Sequence, residues 1–304
     1  MMGSKIIGIF SHSSGRGLFL SYLAFIIMAL ITGKSVMADT QVIHAGTLLT
    51  VPGQAPLSNQ TIVIENGKIV DVKDGFIEVA AINENAELID LSSSFVMPGL
   101  MDMHVHLQGE LGPKNDSESL RMSGSDVAMA SVHYAQKTLL AGFTTVRDLG
   151  GRPEQLYALR DAIEKGWVEG PRIIASGGVS VTGGHGDIDG VSPDLMEMYT
   201  AKTVCDGPYD CRRATRRAIK FGADIIKITS TGGVLSDTNT GTAQQMEVDE
   251  LAEVVKAAHS LGRKVASHAH GADGINAALR AGVDSIEHGS YANKESIRLF
   301  KKEE

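Results

Sequence analysis

The last two thirds of the chain repeat one pattern. From Phe95 onward, short apolar segments that end in polar residues alternate with amphipathic stretches of helical period. This alternation is typical of βα units around a parallel sheet. The six apolar segments are FVMPGLMDMHVHL, GFTTVRDLGG, PRIIASGGVS, GADIIKITSTGG, RKVASHAHG and VDSIEHGS. We therefore predict an α/β fold over residues 95–304, a (β/α)8 TIM-type barrel that is incomplete, with about six strands present.

The preceding segment has a different rhythm. β-branched residues alternate or cluster in QVIHAGTLLT, TIVIENGKIVDV and ELIDLSS, and Asn66-Gly67 is a hairpin-turn signal. We predict a small β-sandwich-like domain, represented by its N-terminal part, over residues 39–94.

The first residues have the pattern of an export signal. Lys5 and Arg16 precede an apolar run over residues 18–31, and the small-residue pattern Val36-Met37-Ala38 follows. This pattern predicts a signal peptide over residues 1–38, cleaved after Ala38, and hence a secreted or periplasmic protein. The run is shorter than the roughly 20 residues that span a bilayer. An uncleaved N-terminal anchor is the alternative.

Cys205 and Cys211 are the two cysteines of the chain. In an oxidising compartment a pair six positions apart is expected to form a local disulfide. Two free thiols are the alternative. Two thiolates alone would leave a structural zinc site incomplete.

Charge and composition argue against nucleic acid as a partner. The net charge is −8, so the chain has no electrostatic attraction to phosphate backbones, and aromatic residues make up only 5%, too few for a stacking platform. We expect no nucleic-acid partner and, after signal cleavage, no membrane partner. The sequence is also compatible with a homo-oligomer.

Several polar side chains share one position, the C-terminal ends of the predicted strands. They are His104, His106, Arg147, Asp148, Lys227, His268 and His288. In a βα barrel this rim carries the chemistry. His104 and His106 stand two residues apart, so their imidazoles face the same side of a strand and could grip a zinc-class ion. A His-x-His pair alone is a weak signal.

Lys227 strengthens that signal because it interrupts the apolar strand DIIKIT, where a lone ammonium would be costly to bury. A lysine that extends to the rim is one interpretation. The other is a lysine carboxylated by carbon dioxide, whose two oxygens bridge two metal ions. His268 and His288 would each more often be packed histidines, but together these residues indicate a two-metal site.

With these motifs the chain resembles the metal-dependent amidohydrolase superfamily, over roughly residues 40–292. VMPGLMDMHVHL resembles the first-strand His-x-His motif, DIIKITSTGG the segment with the bridging carboxylated lysine, and ASHAHG and SIEHGS the later histidine ligands. The resemblance implies two divalent ions, with zinc expected. It implies ligands His104, His106, Lys227, His268 and His288. His270 could replace His268 if the strand register shifted by two.

Within the superfamily, TTVRDLGG, ASGGVSVTGGHGD and KITSTGGVLS resemble the prolidase-like and Xaa-Arg/Lys dipeptidases, a group that includes an ochratoxin amidase. The resemblance implies hydrolysis of an amide or peptide bond in a dipeptide or N-acyl amino acid, as by a dipeptidase, carboxypeptidase or amidase. It also implies Lys227 as a catalytic residue and His185 and Tyr291 as substrate contacts. A solvent-facing His185 is the alternative.

Such enzymes use a metal-bridged hydroxide and an aspartate at the end of strand eight that moves the proton. Here nothing after the sixth strand supplies that aspartate, so we expect a C-terminally truncated piece of a longer enzyme, which alone would fold poorly and show little or no activity. Two alternatives remain. One is a mononuclear cyclic-amide hydrolase of the imidazolonepropionase type, against which Lys227 argues. The other is a non-catalytic or defective fragment.

Overall fold

The computed structural model describes residues 40–113, 120–234 and 240–302. The predicted signal peptide lies outside the described residues. The chain divides into two compact units, the first ending at Pro98 and the second beginning at Gly99. No helix in the described part of the chain is long and apolar enough to cross a membrane.

The first unit is a four-stranded sheet. Its elements are β1 (Thr40–Leu48), β2 (Leu57–Glu65), β3 (Lys68–Asp74), α1 (Val79–Ile82) and β4 (Glu87–Val96). The strand order is β3-β2-β1-β4, antiparallel except for the parallel pair of β1 and β4. Asn66 and Gly67 have φ angles of 50° and 72°. These are the left-handed angles that a two-residue hairpin turn requires.

The second unit alternates strands and helices along the chain. Its elements are β5 (Leu100–Val105), α2 (Gly124–Leu140), β6 (Phe143–Asp148), α3 (Pro153–Glu164), β7 (Arg172–Val181), α4 (Pro193–Tyr199), β8 (Val204–Cys205), α5 (Gly207–Lys220), β9 (Ile225–Thr229), α6 (Val248–Ser260), β10 (Lys264–Ala269), α7 (Ala272–Ala281), β11 (Ser285–His288) and α8 (Lys294–Phe300).

The strands of this unit form a parallel sheet in the order β11-β10-β9-β7-β6-β5, with the short β8 beside β7. The six main strands curve into a nearly closed barrel. Because the strands are parallel, their C-terminal ends meet at one rim. The predicted incomplete TIM-type barrel with a small N-terminal β domain is therefore confirmed.

Aliphatic side chains between sheet and helices hold the barrel together. All five residues of β9 are buried, and Ile226 and Ile228 pack in one cluster with Leu251 and Val254 of α6. Burying a side chain of this size contributes about 1.5–3 kcal/mol. The packing fixes the strand that carries Lys227.

A disulfide joins the end of β8 to α5. Cys205 and Cys211 are both buried, and their Cα atoms lie 4.9 Å apart. The bond closes the turn through which the chain enters α5, beside the barrel wall formed by β7.

Candidate metal centre

A cavity of about 460 Å³ opens at the C-terminal ends of the barrel strands. Six histidines and one lysine contribute to its wall, namely His104, His106, His185, Lys227, His268, His270 and His288. All five residues proposed as metal ligands from the sequence therefore meet in one cavity. The described residues that line it include no aspartate or glutamate, so the aspartate expected on an eighth strand has no counterpart there.

Three of the imidazoles form a compact group. One ring nitrogen from each of His268, His270 and His288 lies within 4.8 Å of the others. The ring centres of His268 and His288 are 4.7 Å apart, and His288 is 5.0 Å from His104. The histidines of β5, β10 and β11 thus approach one another across the barrel mouth.

His288 reaches this group through an unusual backbone angle. In β11, Ser285 and Glu287 face the barrel interior, so strand alternation would direct the next residue away from it. His288 instead has a φ of 72°, in the left-handed region that a non-glycine residue rarely adopts. The chain turns at this position, and the imidazole enters the cavity wall.

His106 depends on a glycine. A Cβ atom at Gly150 would lie 2.8 Å from Cε1 of His106, so any larger residue there would displace the ring. Gly150 also hydrogen-bonds to His106 through its backbone. Its own N–H donates to Oδ1 of Asp148 over 3.1 Å, and the other oxygen of Asp148 accepts the N–H of Leu107 over 2.7 Å.

Lys227 is buried, with 7% of its surface exposed, and projects into the cavity from the middle of β9. Burial lowers the pKa of its amine to about 8, although Glu287 and Asp148 act in the opposite direction. A sizeable fraction of the amine is therefore neutral near physiological pH.

The imidazoles are held in their neutral form. Burial lowers the pKa of His268 to about 3 and that of His288 to about 4, and it also lowers the pKa values of His106 and His270. Neutral imidazole nitrogens are the form that binds a zinc-class ion. The donor set of this cavity therefore fits divalent cations.

Glu287 is a residue that the sequence analysis missed. It is buried, it contacts His104, and it pairs with Arg147 at 2.6 Å. Burial raises the pKa of its carboxyl, but hydrogen bonds from His104 and Ser285 and the charge of Arg147 outweigh burial and bring the pKa to about 2. Its partner Arg147 is 140 positions away in the chain, so no local sequence pattern indicates this contact.

The two proposed substrate contacts are placed differently. His185 lines the cavity, with its ring centre 4.2 Å from that of His268. The backbone N–H of His185 donates a hydrogen bond to Oε1 of Gln245 over 2.7 Å. Tyr291 is 63% exposed and is not among the residues that line the cavity in the described part of the chain, although its N–H donates to the carbonyl of His270. A role for Tyr291 would require its ring to turn inward.

Asp148 is expected to be a stability determinant of this rim. Asp148→Ala would leave the N–H groups of buried Leu107 and half-buried Gly150 without their acceptor, which should cost about 1–3 kcal/mol of unfolding free energy. Urea denaturation measures the loss. Asp161→Ala, at a half-exposed carboxylate on α3, is the matched control and should cost less than about 1 kcal/mol. Equal losses would contradict this role.

A parallel βα barrel with imidazoles and a buried lysine at the carboxyl rim defines a class of metal-binding barrel proteins. Comparison with known families agrees with this description. The sequence model of the amidohydrolase family matches residues 95–302. The chain belongs to the amidohydrolase family.

Individual relatives extend the likeness into the first unit. Ochratoxinase from Aspergillus niger is 32% identical, over 87% of this chain and 57% of its own length. A Xaa-Pro dipeptidase solved with methionine in its active site is 40% identical, with a TM-score of 0.79 over 87% of this chain and 65% of that one. A prolidase complexed with N-methylphosphonate-L-proline is 33% identical, with a TM-score of 0.75 over 87% and 64%. The chain thus spans less than two thirds of these relatives.

Proposed function

We propose that this chain carries the metal centre of a hydrolase that cleaves an amide or peptide bond in a dipeptide or an N-acyl amino acid. The observation that carries the proposal is the convergence of histidines from three strands and a buried lysine at the rim of the barrel. Family membership and the names of the similar proteins support the same reaction class.

The similar proteins also support the substrate class. The Xaa-Pro dipeptidase was solved with a free amino acid in its active site, and the prolidase with a phosphonate derivative of proline. Both molecules carry an amino-acid carboxylate. A substrate whose leaving part is an amino acid with a free carboxylate is consistent with both.

The metal centre is proposed to hold two divalent ions, with zinc the expected metal. His104 and His106 would bind one ion, His268 and His288 the other, and a carboxylated Lys227 would bridge them. When bound, the ions would lower the pKa of a shared water and polarise the scissile carbonyl.

Residues of the chain would bind the metal ions and orient the substrate. The neutral imidazoles keep their nitrogen lone pairs available, since burial holds their pKa values below neutrality. His185 stands on the cavity wall 4.2 Å from His268, ring centre to ring centre, where it can contact a substrate at the centre. The cavity volume of about 460 Å³ lies in the range of small-molecule sites and is sufficient for a dipeptide.

A substrate panel tests the reaction class. Release of free amine would be measured with Xaa-Pro, Xaa-Arg and Xaa-Lys dipeptides, N-acyl amino acids and a cyclic amide, together with the zinc content of the protein. We expect two zinc ions per chain, and turnover of linear amides by a form of the chain extended to supply the proton-moving aspartate. Ring opening of the cyclic amide by a protein with one ion would instead support the imidazolonepropionase-type alternative. Zinc binding without turnover of any substrate would support a non-catalytic fragment.

Carboxylation of Lys227 makes reconstitution depend on carbon dioxide. Only the neutral amine reacts with carbon dioxide, and the pKa of about 8 means that its fraction rises between pH 7 and pH 9. At constant carbon dioxide pressure, the initial rate of zinc-dependent reactivation should therefore rise about tenfold over this interval. Rates unaffected by removing carbon dioxide would contradict the carboxylated lysine and leave the hydrolase proposal standing.

We also propose export to an oxidising compartment, the periplasm or the exterior. The disulfide between Cys205 and Cys211 supports this proposal, because such bonds persist where thiols are not kept reduced. Fractionation of cells that express the chain, with sequencing of the mature N-terminus, tests both export and cleavage after Ala38.

A further inference from the structure

A buried carboxylate, that of Glu287, contacts one of the imidazoles of the cavity. Oε2 of Glu287 is 3.3 Å from Nδ1 of His104, and Oε1 accepts hydrogen bonds from Nη2 of Arg147 over 2.6 Å and from Oγ of Ser285 over 2.7 Å. A buried charge is tolerated when it is paired and hydrogen-bonded in this way. The carboxylate is not among the described residues that line the cavity, and the imidazole it contacts is that of His104.

Arg147 connects three strands around this contact. From β6 its Nε donates to the carbonyl of Met103 on β5 over 2.7 Å, and its Nη1 donates to Ser285 on β11 over 3.2 Å. The pairing of β5 with β6 is irregular between Asp102 and Val105. The carbonyl of Met103 lies within this stretch and accepts the hydrogen bond from Arg147. One guanidinium therefore holds both the backbone before His104 and the carboxylate on its ring.

The backbone N–H of His104 is also held in place, because it donates a hydrogen bond to Oδ1 of Asp102 over 2.9 Å. Backbone and ring are thus constrained from separate sides. In the hydrogen bond to a carboxylate, Nδ1 of an imidazole is the donor and carries the proton. Nε2 is then left with its lone pair, the form that binds a metal ion.

We propose that Glu287 is a positioning residue for His104. It holds the imidazole in the tautomer and orientation that direct Nε2 toward a divalent cation in the cavity, and Arg147 holds Glu287 in place. The inference rests on the metal centre of the proposed function.

The other imidazoles have different partners. Nδ1 of His270 contacts Oγ of Ser290 over 2.8 Å, and Nε2 of His268 donates to the carbonyl of Gly232 over 3.3 Å. These partners are uncharged. Loss of the carboxylate at Glu287 should therefore weaken the ion bound by His104 and spare the ion bound on β10 and β11.

The test is titration of the metal-free chain with Zn²⁺ by calorimetry and with Co²⁺ by visible absorption. Glu287→Gln keeps the shape but offers an amide that can donate to Nδ1, which favours the wrong tautomer. Removing such an outer partner weakens metal binding by about 10- to 100-fold. We expect that loss for one of two ions, with a changed Co²⁺ spectrum for the same ion. A merely structural role would not alter the spectrum of one ion alone.

Glu250→Gln is the matched control. Glu250 is also a buried carboxylate, but it accepts backbone N–H groups of Gly207 and Glu247 at the start of two helices and does not line the cavity. Its replacement should leave both metal affinities unchanged. Ser285→Ala removes one described donor to Glu287, keeps Arg147 and His104, and should weaken the same ion by less than Glu287→Gln does.

The outcomes separate the two proposals. A wild-type chain that binds no zinc would contradict the proposed metal centre itself. Wild-type affinity for both ions in Glu287→Gln, with two ions bound by the unaltered chain, would overturn the positioning role alone. If Glu287→Gln does not fold, Arg147→Lys and Ser285→Ala decide: weakening of one ion in these variants supports the role, and unchanged affinity overturns it.

Discussion

In a form of the chain extended to supply the proton-moving aspartate, replacing Lys227 by alanine is expected to reduce hydrolysis about a thousandfold and to lower the zinc content from two ions to one or none. A bridging ligand serves both ions at once, so its removal should cost about 4 kcal/mol of transition-state stabilisation. The fold should persist, because the substitution removes a costly buried amine from a strand whose other four residues are buried and mostly apolar. Amide hydrolysis and metal analysis on the same preparation measure the effect.

Two controls separate loss of the ligand from loss of the strand. Lys227→Met keeps the length and volume of the side chain without a carboxylation site, so it should melt like the unaltered chain and be equally inactive. In Lys227→Ala the vacated space could admit propionate, whose carboxylate can stand in for the lost oxygens. Partial recovery of activity with propionate would support the bridging role. Full activity of Lys227→Met would contradict it.

The barrel was predictable because its signal is local and repeated. In each βα unit an apolar run indicates the strand, and the helical periodicity that follows it indicates the helix. Parallel strands place their C-terminal ends at one rim of the barrel. The residues at those ends, among them His104, Lys227 and His268, could therefore be assigned to one site before their distances were known.

What the sequence could not supply depends on backbone angles and on contacts between distant strands. The φ of 72° at His288 places its imidazole on the opposite side of the strand from the one that period-two alternation predicts. The alternation pattern in the sequence does not indicate this backbone angle. Glu287 was missed for the complementary reason. Its role arises from Arg147, 140 positions away in the chain, and such a pairing follows from the closure of the barrel rather than from any local pattern.

The sequence favours His268 over His270 as the ligand only through the resemblance of ASHAHG to a family motif. They stand two residues apart at the end of β10, share a face, and both line the cavity. The two histidines differ in their place on the strand. His268 lies within the strand and pairs with Thr229 of β9, two residues after Lys227, whereas His270 follows the end of the strand.

We propose that His268 is the ligand, and a matched pair of variants tests this role. Nε2 of His268 donates to the carbonyl of Gly232, which leaves Nδ1 unprotonated for an ion, and burial keeps its pKa at about 3. His268→Asn should lose one of two zinc ions and about a hundredfold in activity, near 3 kcal/mol. His270→Asn should keep both ions and most of the activity.

The reverse result has a specific structural meaning. If His270→Asn lost the ion and His268→Asn kept it, the ligand would sit two residues further along the chain than the end of β10 implies. His270 could fill that role only by giving up the contact of its Nδ1 with Ser290 or by binding through Nε2, next to an imidazole of His288 whose ring lies 4.7 Å away. Zinc affinity in Ser290→Ala separates these two cases, since loss of the hydroxyl should strengthen binding in the first case and weaken it in the second, where the contact orients the ring.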